Sequence, residues 1–262
     1  MAPPARAGGV CHRSFFAKEG TGRRVVLKAA GLPHCSFSST PITVALMPLP
    51  SFRFLRCLWL LSFSWVACTA LAGEPVYQND FEKSDIGKTP EGFTILAGNF
   101  AVQEDGGNKF LELPGSPLDS FGALFGPATQ GDAMASGRFF STKQGRKYPA
   151  FGISLNGVSG YRLQVSAAKK TIEIFKGDEA KASAPFEWQS GTWTRLRIEA
   201  HKTDKGWVAQ GKAWADGSPE PADWMIKFED PEQSSPGRAG IWGNPFAGTA
   251  IRFDDLRLEK IP

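Results

Sequence analysis

The amino-acid sequence predicts an all-β domain folded as a two-sheet antiparallel sandwich. Short runs of aromatic and β-branched residues recur through residues 73–262, and clusters of Gly, Pro, Asn and Asp separate them at the spacing of turns. No segment in this range keeps a helical period for long. Many short strands without an internal repeat favour a jelly-roll sandwich over a solenoid.

The last predicted strand, residues 249–259, contains a break in its alternation. Ile251 and Phe253 share one face of an extended strand, whereas Leu256 and Leu258 have the opposite parity. A β-bulge at the two aspartates between them would add one residue and return both leucines to the core face. The sequence therefore predicts a bulged strand whose two acidic side chains turn outward.

The earlier strands follow from local alternation and from turn residues. Tyr77 and Phe81 share a face of the first strand, and residues 105–108 (DGGN) are typical of a hairpin turn. Residues 150–176 alternate as a three-strand meander with one polar face, and two prolines place residues 215–221 in a loop. The strands preceding the last are predicted, in order, at residues 76–82, 93–96, 99–103, 109–113, 121–125, 133–141, 150–155, 160–166, 171–176, 191–200, 207–214, 224–228 and 238–243.

Residues 1–72 differ from the rest of the chain in charge and cysteine content. They hold 8 of the 30 Lys and Arg and 1 of the 26 Asp and Glu, which leaves 22 bases and 25 acids in residues 73–262. The positive balance of the whole chain is therefore no argument for nucleic acid or for an anionic membrane surface. All four cysteines also precede residue 73, which excludes disulfides, cysteine–zinc sites and cysteine nucleophiles from the remainder.

Residues 47–72 have the pattern of a signal peptide. Arg53 and Arg56 precede an apolar run at residues 57–67, and residues 70–72 (ALA) form a small-x-small cleavage site. The apolar run is too short for a transmembrane helix, and no second run follows it. We expect an exported protein, periplasmic or extracellular, in which residues 73–262 form the jelly-roll domain.

Two features of the leader have alternative interpretations. Because a signal peptide should begin the protein, residues 1–46 are interpreted as a translation artefact that precedes the true start at Met47. The less favoured reading makes them a disordered targeting extension. Cys68 is a rival processing site that would carry a lipid anchor, but Trp65 stands where such a site usually has leucine. Cleavage before Gly73 is therefore preferred.

Four segments resemble the concanavalin A-like lectin/glucanase superfamily, and within it the laminin-G-like and 3-keto-disaccharide-hydrolase-like domains of exported bacterial proteins. These segments are residues 79–82 (NDFE), 191–198 (GTWTRLRI), 236–242 (PGRAGIW) and 253–256 (FDDL). The resemblance covers residues 73–262, and it implies a jelly roll whose first and last strands pair near the middle of a sheet. Because these motifs are mostly structural, the resemblance is informative about fold and uninformative about activity.

Carboxylates near the two ends of the domain are candidate ligands for a structural calcium ion. The candidates are Asp80, Glu82, Asp254 and Asp255. Calcium takes about six to eight oxygen ligands, and the pairing of first and last strands would bring these carboxylates together. The favoured alternative is that they pair with arginines such as Arg252 or Arg257, or lie solvated.

Aromatic residues beside loops are candidates for stacking on a sugar. Six tryptophans follow residue 72, and their rings pack well against the apolar faces of sugars. The predicted ligand rim consists of Trp188, Trp207, Trp224, Tyr148 and Arg146, with Lys147 beside them. Each rim tryptophan could instead anchor its loop, and we expect Trp193 and Trp242 to fill the core.

The sequence shows no recognisable set of catalytic residues. The β-glucanases of this superfamily carry a Glu-x-Asp-x-Glu run on one strand, and no such run occurs here. Glu173, Glu187 and Glu199 stand singly in strands, and His201, the only histidine after residue 72, is interpreted as exposed. We therefore expect a non-catalytic carbohydrate-binding or adhesion-type module with a glycan partner. The alternatives are a glycoside hydrolase of the keto-sugar type with carboxylates in a concave cleft, and a structural partner domain of a larger exported assembly.

Overall fold

The regular structure of this protein consists of β-strands. The computed structural model describes residues 75–116, 119–232, 235–246 and 248–261, and no helix occurs among them. This confirms the all-β prediction. The predicted signal peptide, residues 1–46 and Cys68 lie outside these ranges. The same ranges contain no helix of the length and apolarity needed to cross a membrane.

Every observed strand except one overlaps a predicted strand. The exception is β10, an exposed edge strand whose sequence, EAKASAP, lacks the β-branched and aromatic residues that identify the others. The strands are β1 (Pro75–Asn79), β2 (Thr94–Ala97), β3 (Ala101–Asp105), β4 (Asn108–Leu113), β5 (Phe121–Thr129), β6 (Ala133–Phe140), β7 (Ala150–Leu155), β8 (Tyr161–Ser166), β9 (Thr171–Lys176), β10 (Glu179–Pro185), β11 (Thr194–Thr203), β12 (Gly206–Ala215), β13 (Ile226–Asp230), β14 (Gly237–Asn244) and β15 (Ile251–Lys260).

The strands form two antiparallel sheets. Sheet A has the order β13-β12-β11-β6-β15-β4-β3, and β1 joins it by pairing with β15. Sheet B has the order β10-β9-β8-β7-β14-β5-β2. The pairing of β1 with β15 sets Gln78 opposite Arg257. The first and last strands of the domain therefore meet in the interior of sheet A, as the resemblance implied.

The predicted bulge in β15 is confirmed. In the pairing of β15 with β6, Asp254 lies opposite Arg138 and Arg257 lies opposite Ser136, so the register shifts between them. Asp255 occupies this irregularity with a φ of 51°, a left-handed conformation that aspartate tolerates better than most residues. As a result, the four apolar side chains of the strand are all fully buried: Ile251, Phe253, Leu256 and Leu258.

Large aromatic side chains fill the space between the sheets. Phe139 of sheet A stacks on Phe151 of sheet B with ring centroids 5.6 Å apart. Phe253 packs edge-on against Phe139 at 5.5 Å. All three are essentially unexposed, and burying each such side chain contributes about 1.5–3 kcal/mol. This packing holds the sheets together and leaves their outer faces available for polar chemistry.

A buried polar link also joins the two sheets. Tyr161 on β8 donates a hydrogen bond of 2.8 Å to Asp230 on β13, and Lys176 on β9 lies 2.8 Å from the same carboxylate. Burial alone would raise the pKa of Asp230, but the contacts with Lys176, the Glu232 backbone N–H and Tyr161 outweigh it and lower that pKa. Burial and the adjacent carboxylate raise the pKa of Tyr161, so its hydroxyl stays a neutral donor.

We expect Asp230→Asn to lower the free energy of unfolding by about 1–3 kcal/mol at neutral pH, because Lys176 loses its buried counterion. The folded-state pKa of Asp230 is lowered, so the carboxylate contributes stability above about pH 4 and loses it as the pH falls through the folded pKa. Denaturant unfolding of both proteins at neutral pH and near pH 3 should show a gap that shrinks in acid. Glu229→Gln, an exposed neighbour, is the matched control, and a pH-independent gap would contradict the assignment.

Candidate functional site

Two of the tryptophans predicted to form a ligand rim are buried in the core. Trp188 exposes 9% of its surface and Trp207 exposes 5%, and both belong to the main hydrophobic cluster. The Trp188 ring packs edge-on against Phe151 at 6.0 Å. Burying a ring of this size stabilises the segment that carries it. These two residues therefore act as anchors, and neither offers a ring face for stacking.

The remaining rim residues do not converge on one surface. Tyr148 is half-buried and shares a cavity of about 220 Å³ with Trp188, while Arg146 is exposed in the preceding loop. Trp207 lines a different cavity, and Trp224 lines neither of the two. Of the five predicted rim residues, the structure brings only Tyr148 and Trp188 together.

A different set of aromatic and polar side chains occupies the outer face of sheet B. The expectation that Trp242 fills the core is wrong, because Ala239 and Ile241 take the inward positions of β14 and Trp242 points outward, half-buried. Strand pairing sets Trp242 in a row of outward positions that crosses the sheet, and a second row runs beside it. We call both rows together the Trp242 face. The first row holds Glu173, Gln164, Gly152, Trp242 and Gly122, and the second holds Phe175, Arg162, Ser154, Gly240 and Leu124.

The Trp242 ring is held in one orientation by its neighbours. Its Nε1 donates a hydrogen bond of 2.9 Å to Oγ of Ser154. A Cβ at Gly122 would lie 2.8 Å from the ring, so only glycine permits the observed packing. Gly152, the adjacent position of the row, has no side chain because the backbone of Leu163 lies 2.4 Å from where its Cβ would be. The result is an aromatic ring fixed in one orientation on the outside of sheet B.

Arg162 lies between two aromatic rings of the Trp242 face. Its guanidinium carbon is 4.7 Å from the Phe175 ring centroid and 5.1 Å from that of Trp242, distances at which cation–π attraction is effective. Burial lowers the pKa of Arg162, and the charge of Asp178 offsets part of this effect. The side chain is half-buried, and its Nε is fully enclosed without a hydrogen-bond partner among the described residues.

Glu173 was interpreted from the sequence as a solitary glutamate on a strand, and the structure buries it. Only 5% of its surface is exposed, although it occupies an outward position on β9. Its carboxylate accepts hydrogen bonds from Oγ of Ser166 and, at 2.9 Å, from Nζ of Lys169. Gln164, beside it in the same row, donates to Oγ of Ser166 at 3.2 Å. These side chains form a connected polar border to the aromatic part of the face.

The aspartates of the β15 bulge are bound by arginines on the outer face of sheet A. Asp254 is 1% exposed and accepts hydrogen bonds of 2.6 Å from Arg138 and 2.9 Å from Asn108. Asp255 accepts a hydrogen bond of 3.1 Å from Arg195. The arginine partners therefore come from β6 and β11 and are not Arg252 or Arg257, which the sequence suggested.

Trp193, which was also expected in the core, lies on this same outer face of sheet A. Its ring packs against Phe140 with centroids 5.5 Å apart, and the guanidinium of Arg138 lies 4.7 Å from its centroid. The expectation failed because Trp193 precedes β11 and covers polar and aromatic side chains on the outside of the sheet. The ring thereby shields the contact between Arg138 and Asp254.

The four predicted calcium ligands do not form a site that fits a metal. Asp80 and Asp255 line one depression of about 250 Å³, but three arginines line it with them. Glu82 accepts a hydrogen bond from the backbone N–H of Lys109. Among the described residues, no group of three or more His, Cys, Asp or Glu side chains is arranged to hold an ion. The three arginines therefore place positive charge in the depression where a calcium ion would have to bind.

Comparison with known proteins defines the fold. No family model matches this sequence, and no curated protein has a significant match to it. The carbohydrate recognition domain of Emp46p, in its metal-free form, matches with a TM-score of 0.52 at 13% identity, over 72% of this chain and 98% of that domain. A Bacillus subtilis protein of unknown function with a galectin-like fold gives a TM-score of 0.50 at 12% identity, covering 72% and 96%.

The fold is a two-sheet antiparallel jelly-roll sandwich, similar to that of the Bacillus subtilis protein with a galectin-like fold. The carbohydrate binding module CBM66 from Bacillus subtilis also matches, at 17% identity over 64% of this chain and 96% of that module. Its TM-score is 0.46, which is too low to support a conclusion about this chain. At identities this low, a structural neighbour establishes architecture and leaves activity to be argued from the side chains. A function for this chain therefore rests on the residues of the Trp242 face.

We expect the thermal midpoint of this jelly-roll domain to be the same with and without a calcium chelator, because arginines already neutralise Asp254 and Asp255. Differential scanning calorimetry with added EDTA, and then with excess calcium, measures this directly. Arg138→Gln, which leaves Asp254 without its closest cation, should lower the midpoint in both conditions. A midpoint that falls with EDTA and recovers with calcium would contradict the pairing of these aspartates with arginines.

Proposed function

We propose that residues 73–262 form an exported, non-catalytic carbohydrate-binding module, of the adhesion type, whose ligand site is the Trp242 face. The observation that carries this proposal is a tryptophan ring fixed on the outside of a sheet and bordered by polar side chains. Among the tryptophans of the described residues, Trp242 is the one that combines an outward position with this polar border in the same rows.

The chemistry of sugars matches the composition of the face. A sugar ring presents C–H groups that pack against an aromatic surface, and hydroxyls that need hydrogen-bond partners. Trp242 supplies the surface, while Gln164 and Arg162 supply polar groups at neighbouring positions. Because the ring is already held in place, binding would require little rearrangement of the protein.

The comparisons support the proposal through the fold. The Emp46p domain is described as a carbohydrate recognition domain, so the same architecture serves sugar recognition elsewhere. The polar outer face of sheet B is consistent with such a use here. The identity of the sugar has to come from the residues of the face, because 13% identity transfers no ligand.

A glycoside hydrolase is the rival proposal, and Glu173 is its best candidate residue. Hydrolysis of a glycoside generally needs two carboxylates about 5–10 Å apart on opposite sides of the scissile bond. In the two rows of the Trp242 face, Glu173 is the single carboxylate, and Ser166 and Lys169 already bind it. A structural partner domain in a larger exported assembly is the third possibility, and it requires no ligand at all.

We expect Trp242→Ala to weaken binding to the recognised polysaccharide at least about tenfold, because the stacking surface is removed. A glycan array identifies the ligand, and isothermal titration calorimetry of wild type and variant measures the affinity. Trp214→Ala removes a half-buried ring from the outer face of sheet A and should leave the affinity unchanged. Thermal melting of both variants checks that the fold survives.

The outcomes of this experiment separate the three functions. If Trp242→Ala and Trp214→Ala weakened binding by the same factor, the Trp242 face would not be the ligand site. Release of reducing sugar from the bound polysaccharide would establish the hydrolase, and Glu173→Gln should then abolish turnover while binding persists. Absence of both binding and turnover would favour the structural partner domain.

Export, to the periplasm or the extracellular space, is part of the proposal and is tested by processing. When the chain is expressed from Met47 in a secreting bacterial host, we expect N-terminal sequencing of the mature protein to begin at Gly73. Ala72→Lys should block this cleavage because the site requires a small residue, whereas Cys68→Ser should leave it unchanged. A mature protein that begins at a lipid-modified Cys68 would instead establish the lipid anchor.

A further inference from the structure

Arg162 differs from the other half-buried arginines of the described residues in having no polar partner. Each of the others donates at least one hydrogen bond to a carboxylate, an amide or a backbone carbonyl; they are Arg138, Arg195, Arg197, Arg238, Arg252 and Arg257. Arg162 makes no hydrogen bond or salt bridge within the described residues, and its Nε is enclosed without a partner. Its polar requirements are met only by two aromatic rings and by solvent.

A half-buried arginine without a polar partner lowers the stability of the folded protein. Moving a guanidinium partly out of water without a counterion is unfavourable, and buried N–H groups without acceptors add to the cost. Burial accordingly lowers the pKa of Arg162, and Asp178, the acid that acts on it, is too distant to form a salt bridge. Such a residue on an outward surface is typical of a group that awaits a ligand.

The surroundings of Arg162 leave its charge uncompensated. Glu173, the carboxylate in the adjacent row, is bound by Lys169 and Ser166 and does not contact Arg162. Phe175, Trp242 and Ser154, the closest members of the face, are uncharged. The site therefore presents one positive charge beside the stacking surface of Trp242.

We propose that the ligand of the Trp242 face is an acidic saccharide whose anionic group binds Arg162. This inference rests on the proposed carbohydrate-binding function and specifies its substrate class. Cation–π contacts use the face of a guanidinium and leave its N–H edge free for hydrogen bonds. Since Nε is enclosed, the terminal nitrogens Nη1 and Nη2 are the donors that remain. Two donors in one plane match the two oxygens of a carboxylate and also accept a sulfate ester.

The proximity of Arg162 and Trp242 fits a single charged sugar residue. The guanidinium carbon lies over the Trp242 ring, 5.1 Å from its centroid, so an anionic substituent of a sugar bound against Trp242 would lie within reach of Arg162. A uronic acid carries its carboxylate directly on the ring carbon skeleton, and a sulfated sugar carries its anion one oxygen further out. Both sugars supply the anionic partner that Arg162 lacks, and a comparison of uronate with sulfated polymers distinguishes between them.

The test compares charged and neutral forms of the same polysaccharides. Polygalacturonate, alginate and glucuronoxylan are titrated against the domain in parallel with their methyl-esterified, uncharged derivatives, and carrageenan represents sulfated polymers. We expect one acidic polymer to bind about 10-fold to 100-fold more tightly than its neutral form, as a charge-assisted hydrogen bond provides. The preference should decrease with added salt. Preference for uronates identifies a carboxylate ligand, and preference for carrageenan identifies a sulfate.

Variants assign this preference to Arg162. Arg162→Gln should reduce the ratio of acidic to neutral affinity to about one, because the charge that distinguishes the two forms is removed. Arg162→Lys should retain part of the ratio. Arg257→Gln, a half-buried arginine on sheet A, should leave the ratio unchanged. Equal affinity for charged and neutral forms in the wild type, or an unchanged ratio in Arg162→Gln, would overturn the acidic ligand and leave the carbohydrate-binding function intact. Absence of binding to any polysaccharide would overturn both.

Discussion

The pairing of β15 with its neighbours is the interaction on which the rest of the structure depends. This strand contacts β6 along one edge and both β4 and β1 along the other, so three elements of sheet A are positioned by it. A shift of one residue would turn its apolar side chains to the outside. The bulge at Asp255 prevents this shift of register. Arg138 on β6 and Asn108 on β4 donate hydrogen bonds to Asp254 and so hold β15 to both neighbouring strands.

The strands and the core could be predicted from sequence because alternation is a local property. Parity alone identified the bulge of β15, since Phe253 and Leu256 could not otherwise face the same side. The partners of Asp254 could not be found in this way, because Arg138 is distant in sequence and is brought near only by the order of strands. Arg252, the arginine suggested by proximity, bonds instead to Asp105 and Glu112.

The Trp242 face was not predicted from the sequence, and the reason is physical. Proximity to loops placed Trp188 and Trp207 at a ligand rim, but Trp188 is buried in the segment before β11 and Trp207 is buried on β12. Trp242 was assigned to the core because it belongs to a structural motif. Its parity opposite Ile241 was visible in the sequence and indicated the outer face, although nothing local could show that Gly122 and Arg162 would lie beside it.

The position of β1 against β15 has a consequence for how the protein is made. Sheet A lacks its central strand until the last residues of the chain are available, so no earlier portion can close around a complete core. The sandwich therefore closes late in synthesis, once β15 can join β1, β4 and β6.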